Sequence, residues 1–202
     1  MTYTVVPDKA TNDVFTEAMW DTHIKDNFNK AVPRPIASTF LAVDTASIIF
    51  SAIPADWAHL CIMGYFRNTD ATTWNQICVR FNGDSGANYD WQWLQGFSTS
   101  PGGGEVLGQS AGELALIPAG NAVANTFGAL HTWIGNYAGS SNNKSYVSSS
   151  GAKFQNAASG QAWRSNCGHW RSNAAITQIT ILPLNAGNIA AGSKVTLYGL
   201  GN

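Results

Sequence analysis

Gly83-Asp84-Ser85-Gly86 is the segment whose residue types come nearest to a catalytic motif. A serine between glycines can act as a nucleophile when a histidine accepts its proton, and His59 lies upstream in Ala58-His59-Leu60-Cys61. The chemistry predicted by that combination is acyl transfer to the serine, with nearby backbone N–H groups stabilising the oxyanion.

The detailed pattern argues against that chemistry. Trypsin-like enzymes carry Gly-Asp-Ser-Gly-Gly, whereas Ala87 follows Gly86 here, and no aspartate occupies a convincing third position. Asn, Gly, Asp and Ser are also typical of turns, and the flanking segments 77–81 and 89–93 alternate apolar and polar residues as strands do. We therefore interpret 82–88 as a structural turn joining the two strands of a hairpin.

Oxygen-rich side chains in the same turn raise the question of a metal. Asp84 with Asn82 and Asn88 could ligate Ca²⁺, although turn capping explains these residues equally well. Cys167 and His169 supply only two ligands, too few for structural zinc. We predict no metal site and no cofactor.

Carboxylates are scarce outside the N-terminal segment. Glycoside hydrolysis requires two that face one cleft. Glu105 and Glu113 are the only glutamates beyond residue 33, and Glu105 lies in a glycine-rich stretch. No catalytic residue is predicted, so the expected protein is not an enzyme.

Aromatic residues offer a different kind of site. Trp91 and Trp93 should share one face of a strand with Tyr89. Three aromatic rings on one face can form a core between sheets, a platform for a sugar ring, or a subunit interface.

A short phrase, Trp-Arg-Ser-Asn, occurs twice, beginning at Trp163 and at Trp170. The seven-residue offset places the two tryptophans on opposite faces of a continuous strand, unless a bulge at Gly168 resets the register. Arg164 and Arg171 are candidates for binding an anionic sugar or for pairing with carboxylates.

Composition excludes several classes of function. The chain has 202 residues, 11% charged and 45% hydrophobic, with a formal net charge of −1. That balance provides no basic surface for nucleic acid or for an anionic membrane. The three cysteines form no close pair and are expected to be reduced, and the N-terminus has no signal-peptide pattern.

Residues 1–33 form an arm that differs from the rest of the chain in its concentration of charge. Thr16 is a candidate N-cap for a short amphipathic helix over 17–29, on which Trp20, Ile24 and Phe28 share one face. A helix this short needs a docking surface, either its own sandwich or a partner or copy of the chain. The prolines of Pro33-Arg34-Pro35 end the helix and stiffen the segment that follows it.

Residues 34–202 have the period and turn chemistry of short strands. We predict a mainly β domain, an antiparallel jelly-roll-like β-sandwich, with a closed barrel as the alternative. Segments 101–104 and 139–143 are predicted flexible loops. The predicted strands are 36–43, 46–52, 57–66, 74–82, 88–97, 113–117, 129–136, 144–149, 161–170, 175–182 and 193–200.

The sequence resembles virion proteins of tailed bacteriophages. Thr16, Trp20 and the pair Asp26-Asn27 resemble their short helical entry segment. Five further segments resemble a phage β-sandwich domain of tail fibres, tail tips, and head fibres or decorations: 53–60, 79–89, 134–137, 144–145 and 197–200. The match covers about residues 12–200.

This resemblance implies a structural or receptor-binding virion protein, often a homotrimer, assembled in the host cytoplasm. It supplies no catalytic residues. We expect residues 1–33 to bind other virion proteins and the sandwich to be displayed, in contact with a host surface glycan. A capsid decoration protein and a glycan-degrading enzyme are the competing interpretations.

Overall fold

The computed structural model describes residues 16–25, 32–155 and 160–201. It begins with a helical turn, α1 (Glu17–Met19), in which the Thr16 hydroxyl accepts a hydrogen bond from the Met19 N–H at 3.3 Å. The predicted N-cap is therefore confirmed. A wider π-helical turn continues over Trp20–Lys25. The prediction of one regular helix was therefore wrong in this part. Phe28 lies outside the described residues.

Strands make up most of the described chain, which confirms the mainly β class. Their bounds are β1 (Arg34–Phe40), β2 (Ile48–Phe50), β3 (His59–Phe66), β4 (Trp74–Phe81), β5 (Tyr89–Phe97), β6 (Ser100–Gln109), β7 (Gly112–Pro118), β8 (Gly128–Gly135), β9 (Lys144–Lys153), β10 (Gln161–Trp170), β11 (Ile179–Pro183) and β12 (Lys194–Leu200).

The strands form two antiparallel sheets that pack face to face. The large sheet has the order β1-β12-β3-β8-β9-β10-β5-β6, and the small sheet has the order β2-β11-β4-β7. The predicted β-sandwich is confirmed. A closed barrel is not formed by the described strands, because each sheet ends in two edge strands. The finer jelly-roll connectivity stays a prediction.

Alternation along the strands places one face of the large sheet in the core. In β8 and β10 every second residue is buried, as the period of a half-buried strand requires. From the large sheet, Leu60, Leu130 and Leu197 belong to the same buried cluster as Val79 and Ile181 of the small sheet.

Strand β7 is unusual because all of its residues are buried. It is an edge strand of the small sheet, yet its carbonyl groups are not left unpaired. The Glu113 carbonyl accepts from the Tyr146 hydroxyl at 3.0 Å, and the Leu114 carbonyl accepts from Ser148 at 2.5 Å and Asn166 at 3.0 Å. Buried polar side chains on β9 and β10 thus replace a neighbouring strand.

The structure contradicts the sequence-based predictions for two segments, 101–104 and 82–88. Segment 101–104 is not a flexible loop but part of β6. Gly102 and Gly104 fit because the indole of Trp93 occupies space that their side chains would need. A Cβ on Gly104 would lie 3.1–3.2 Å from three indole atoms. Strands are predicted from alternating apolar and polar side chains. A run of glycines has no such alternation, so β6 was not predicted.

The segment 82–88 is not a hairpin turn, since β4 belongs to the small sheet and β5 to the large one. It is a loop that crosses between the sheets. Asn82 and Gly83 both adopt positive φ, 53° and 71°, which these residue types tolerate well. Both strands have the alternation expected of hairpin partners, and local sequence does not reveal which sheet each one joins.

Candidate functional site

A groove of about 400 Å³ opens between the two sheets. We call it the inter-sheet groove. It is lined by side chains from two strands of each sheet. They are Trp74 and Gln76 of β4, Leu116 of β7, Trp93, Gln95 and Phe97 of β5, and Arg164 of β10. The groove therefore combines aromatic rings, amides and one guanidinium group.

An ion pair lies at the inner side of the groove. Arg164 donates through Nη2 to Oε2 of Glu113 at 2.7 Å, and the two side chains are 6% and 0% exposed. Gln76 donates to the same oxygen at 3.2 Å. Because Arg164 lies in the large sheet and Glu113 in the small one, the contact joins the two sheets through the core.

Burial and pairing act in opposite directions on the protonation of this pair. Burial raises the pKa of the Glu113 carboxyl, and Arg164 and Gln76 lower it only in part, so the net pKa lies above its ordinary value. Burial also lowers the pKa of the Arg164 guanidinium, and Glu113 raises it. Arginine stays protonated in proteins, so Glu113 lies against a permanent positive charge.

The predicted aromatic face divides into two parts. Tyr89 and Trp91 are buried in the core, whereas Trp93 is half-buried and lines the groove. The Arg164 guanidinium carbon lies 4.2 Å from the centroid of the Trp93 ring, in cation–π geometry. Tyr89 and Trp91 therefore belong to the core between the sheets, whereas Trp93 reaches the surface.

The first Trp-Arg-Ser-Asn phrase and Trp170 lie on β10 in continuous register, without a bulge at Gly168, and the rest of the second phrase follows the end of the strand. Trp163 is 55% exposed and Trp170 is 2% exposed, so they occupy opposite faces as predicted. Arg171 does not line the inter-sheet groove. Its Nη1 lies 2.8 Å from each carboxylate oxygen of Asp90 and donates to both.

The carboxylate of Asp84 organises the loop 82–88 through hydrogen bonds. One carboxylate oxygen accepts from the Gly86 N–H at 2.8 Å. The other accepts from the Asn88 amide at 2.9 Å and the Trp170 indole at 2.7 Å. Burial raises the pKa of Asp84, but these three hydrogen bonds outweigh it, and the net pKa is below its ordinary value. Across the described residues, no three His, Cys, Asp or Glu side chains cluster as metal ligands.

The serine-protease arrangement is not assembled around Ser85. The Asp84 carboxylate binds loop groups and the Trp170 indole, and His59 Nδ1 accepts from the Asn136 N–H at 3.3 Å. A serine–histidine contact occurs elsewhere, between Ser145 Oγ and His169 Nδ1 at 3.2 Å. The other histidine nitrogen faces Asn143, at 3.5 Å, rather than a carboxylate.

A second surface was missed by sequence reasoning. The solvent-facing side of the large sheet, here called the outer face, carries exposed apolar side chains on seven of its eight strands. They are Phe40, Met63, Tyr65, Leu94, Leu107, Trp133, Val147 and Trp163. The signal was present in β3, where Leu60-Cys61-Ile62-Met63 is apolar at every position, which is typical of strands covered on both faces.

Neighbouring strands align these side chains into rows. One row runs Tyr198, Cys61, Trp133, Val147 and Cys167 across five strands. An open depression of about 590 Å³ lies beside it and includes Met63, Tyr65 and His131. The depression also contains Lys194 and Thr196, so the outer face is a broad surface on which exposed apolar side chains lie among polar ones.

Comparison with protein-family models, curated proteins and solved structures found no match to this chain. The arguments for function therefore start from the arrangement of its own residues. In the part of the chain that the structure describes, no helix combines the length and apolar character needed to cross a membrane.

Proposed function

We propose that this protein is a structural component of a tailed-bacteriophage virion, in which copies of the sandwich pack together through their outer faces. The observation that carries the proposal is the set of exposed apolar side chains spread over seven strands of the outer face. Monomeric proteins rarely expose large contiguous apolar patches, and such patches mark interaction surfaces. A homotrimer is the expected assembly, in agreement with the resemblance to phage appendage domains.

Charge favours another copy of the chain as the occupant of this surface. A second row, next to the first, contains Thr196, Met63, His131, Ser149, Ser165 and Leu94. Neither row contains Asp, Glu, Lys or Arg. Lys194 and Glu105 lie on the same face but outside these two rows, so the two rows form a neutral central strip. Such strips from copies around a common axis meet without repulsion between like charges, and aromatic and Met side chains are enriched in such interfaces.

The N-terminal arm supports attachment to other virion proteins. Trp20 is 51% exposed and Ile24 is 39% exposed. The buried core cluster of the described chain begins at Ile48 and includes neither residue. These two side chains therefore keep substantial exposed apolar surface, ahead of the stiff Pro33-Arg34-Pro35 connection.

A displayed fibre or tail-tip protein is favoured over an enzyme by the carboxylates of the groove. Glu113 is hydrogen-bonded to two of the lining residues, Gln76 and Arg164, and forms an ion pair with Arg164. Glu105 is exposed on β6 and lies opposite Gln92, whose side of β5 is the outer face. Two carboxylates facing one cleft, as glycoside hydrolysis requires, are absent from the described groove. A capsid decoration protein would have the same apolar surfaces and remains the second candidate.

Labelling of particles is the direct test. Gold-labelled antibody against the protein should bind intact particles made from the genome that encodes it, and the position of the label separates fibre, tail tip and head. Purified particles that lack the protein would contradict the proposal.

Sedimentation tests the packing of copies. The full chain should sediment as a trimer at micromolar concentration, and Trp133→Glu should shift it towards monomer because a charge is placed in the central row. Ile49→Glu is the matched control, since Ile49 is 54% exposed but lies on the small sheet. A monodisperse monomer for the unmodified chain would overturn the assembly proposal.

A further inference from the structure

We propose that the inter-sheet groove binds a neutral saccharide of one or two rings. The inference deepens the proposed function, because it assigns the glycan contact of a displayed virion protein to named residues. A groove volume of about 400 Å³ lies towards the lower end of the range of ligand pockets, roughly 300–1,000 Å³.

Aromatic side chains at the mouth provide surfaces on which a sugar can pack. Trp74 is 45% exposed at the start of β4. Phe97 is held from behind by Phe154, with ring centroids 5.8 Å apart and an interplanar angle of 19°. The C–H faces of a pyranose pack on such rings through dispersion contacts.

Polar groups in the groove match hydroxyl groups, which both donate and accept hydrogen bonds. Gln95 uses its carbonyl oxygen to accept from Arg164 at 3.2 Å, and its amide nitrogen donates to no group in the described chain. Arg164 uses one N–H each towards Asn166, Gln95 and Glu113. Of the five N–H donors of an arginine, two donate to no group in the described chain.

Charge favours a neutral sugar over an acidic one. Among the described residues that line the groove, Arg164 alone is charged, and its charge is balanced by Glu113 at 2.7 Å. An anionic sugar would have to compete with this buried carboxylate for the guanidinium. The net charge presented to a ligand is close to zero, as a neutral saccharide requires.

The groove is also preorganised. Trp93 is confined between Gly104, whose absent Cβ makes room for the indole, and the guanidinium of Arg164 at 4.2 Å. The guanidinium is itself fixed by three hydrogen bonds. Groups already held in position lose little conformational freedom when a ligand binds, which favours affinity.

Titration of the full-length protein with defined sugars tests the inference. Saturation-transfer NMR and tryptophan fluorescence would follow glucose, galactose, N-acetylglucosamine, cellobiose and lactose, with sialyllactose as the acidic probe and a proline-rich peptide as the non-sugar probe. We expect saturable binding of at least one neutral sugar with Kd of about 1–10 mM or tighter, and weaker binding of both other probes.

Two variants identify the site. Trp74→Ala and, separately, Gln95→Ala should each weaken neutral-sugar binding by about tenfold or more, because the first removes the exposed ring and the second a hydroxyl partner. Trp163→Ala is the control, since Trp163 is 55% exposed on the outer face and should leave affinity unchanged. Thermal melting shows whether each variant is folded.

Several outcomes would overturn the inference: no neutral sugar binds, sialyllactose or the peptide binds more tightly, or both groove variants bind as the unmodified protein does. Its failure is distinguishable from failure of the proposed function. The Trp74→Ala protein should still assemble and join the particle. An unmodified protein that joins the particle but binds no sugar would contradict the sugar-binding inference alone, and an unmodified protein that does not join the particle would contradict the proposed function.

Discussion

Arg164 and Glu113 form an ion pair that joins the two sheets through the interior, with 2.7 Å between Nη2 and Oε2. The pair is deeply buried, and Gln76 donates a further hydrogen bond to the same carboxylate oxygen. Desolvation and Coulomb attraction nearly cancel in such pairs, so their clearest effect is seen when one partner is removed.

Glu113→Ala should therefore lower the free energy of unfolding by about 3–5 kcal/mol, because the Arg164 charge would be left buried without a partner. Glu113→Leu combined with Arg164→Met should recover much of that loss. Urea titration followed by tryptophan fluorescence measures both. Arg171→Met is the control, since its pair with Asp90 is 43% and 18% exposed and its loss should cost about 0–1 kcal/mol. Equal losses for Glu113→Ala and Arg171→Met would contradict this account.

Gly104→Ala should destabilise the protein by about 1–3 kcal/mol, as overpacking does. The new Cβ would stand 3.1–3.2 Å from the Trp93 indole, and Arg164 on the ring limits how far the indole can move. Gly96→Ala is the control, because a Cβ at Gly96 meets nothing within 4 Å. Thermal melting and the emission wavelength of tryptophan should change in the first variant only. A Gly104→Ala protein as stable as Gly96→Ala would show that the indole shifts freely.

Local pattern accounts for much of the fold. Alternation predicted the strands on either side of the loop 82–88, Thr16 was identified as an N-cap, and the seven-residue offset placed Trp163 and Trp170 on opposite faces. These features depend on neighbours in sequence. Strand β6 was missed because its glycines are selected by the Trp93 ring of another strand rather than by their own periodicity.

The inter-sheet groove was beyond local reasoning because its partners are distant in sequence. Arg164 is 51 residues from Glu113, and Glu113 is 37 residues from Gln76. The sequence identified Trp93 and Arg164 as candidates for a ligand or interface role, but Trp91 is buried and Arg171 lies outside the groove. Only the pairing of strands brings Trp74, Gln76 and Gln95 to the same opening.

Asp84 should make the protein less stable in acid. Its pKa is lowered in the folded state, so its contribution is present above the unfolded value of 3.8 and is lost as pH falls through the folded pKa. Asp84→Asn should cost roughly 1–2 kcal/mol at pH 7, because hydrogen bonds to a charged acceptor are weakened. The difference from the unmodified protein should shrink below pH 3.8.

Urea unfolding at a series of pH values measures this dependence. Asp56→Asn is the control, since Asp56 is exposed and its carboxylate accepts no hydrogen bond within the described chain. A stability difference for Asp84→Asn that stays constant from pH 7 to acid would show that the charge of Asp84 is not what organises the loop.

Deletion of residues 1–33 should leave a soluble, folded sandwich that no longer joins the particle. The deletion ends just before β1, which begins at Arg34, and the buried core of the described chain begins at Ile48. Trp20, Ile24 and Phe28 carry apolar side chains whose burial on a partner would contribute roughly 5–8 kcal/mol before the cost of ordering. Trp20→Asp combined with Phe28→Asp should therefore have the same effect as the deletion. Circular dichroism verifies the fold, and quantitative blotting of purified particles measures incorporation. Normal copy number for the truncated protein would mean that the sandwich itself, through its outer face, makes the attachment.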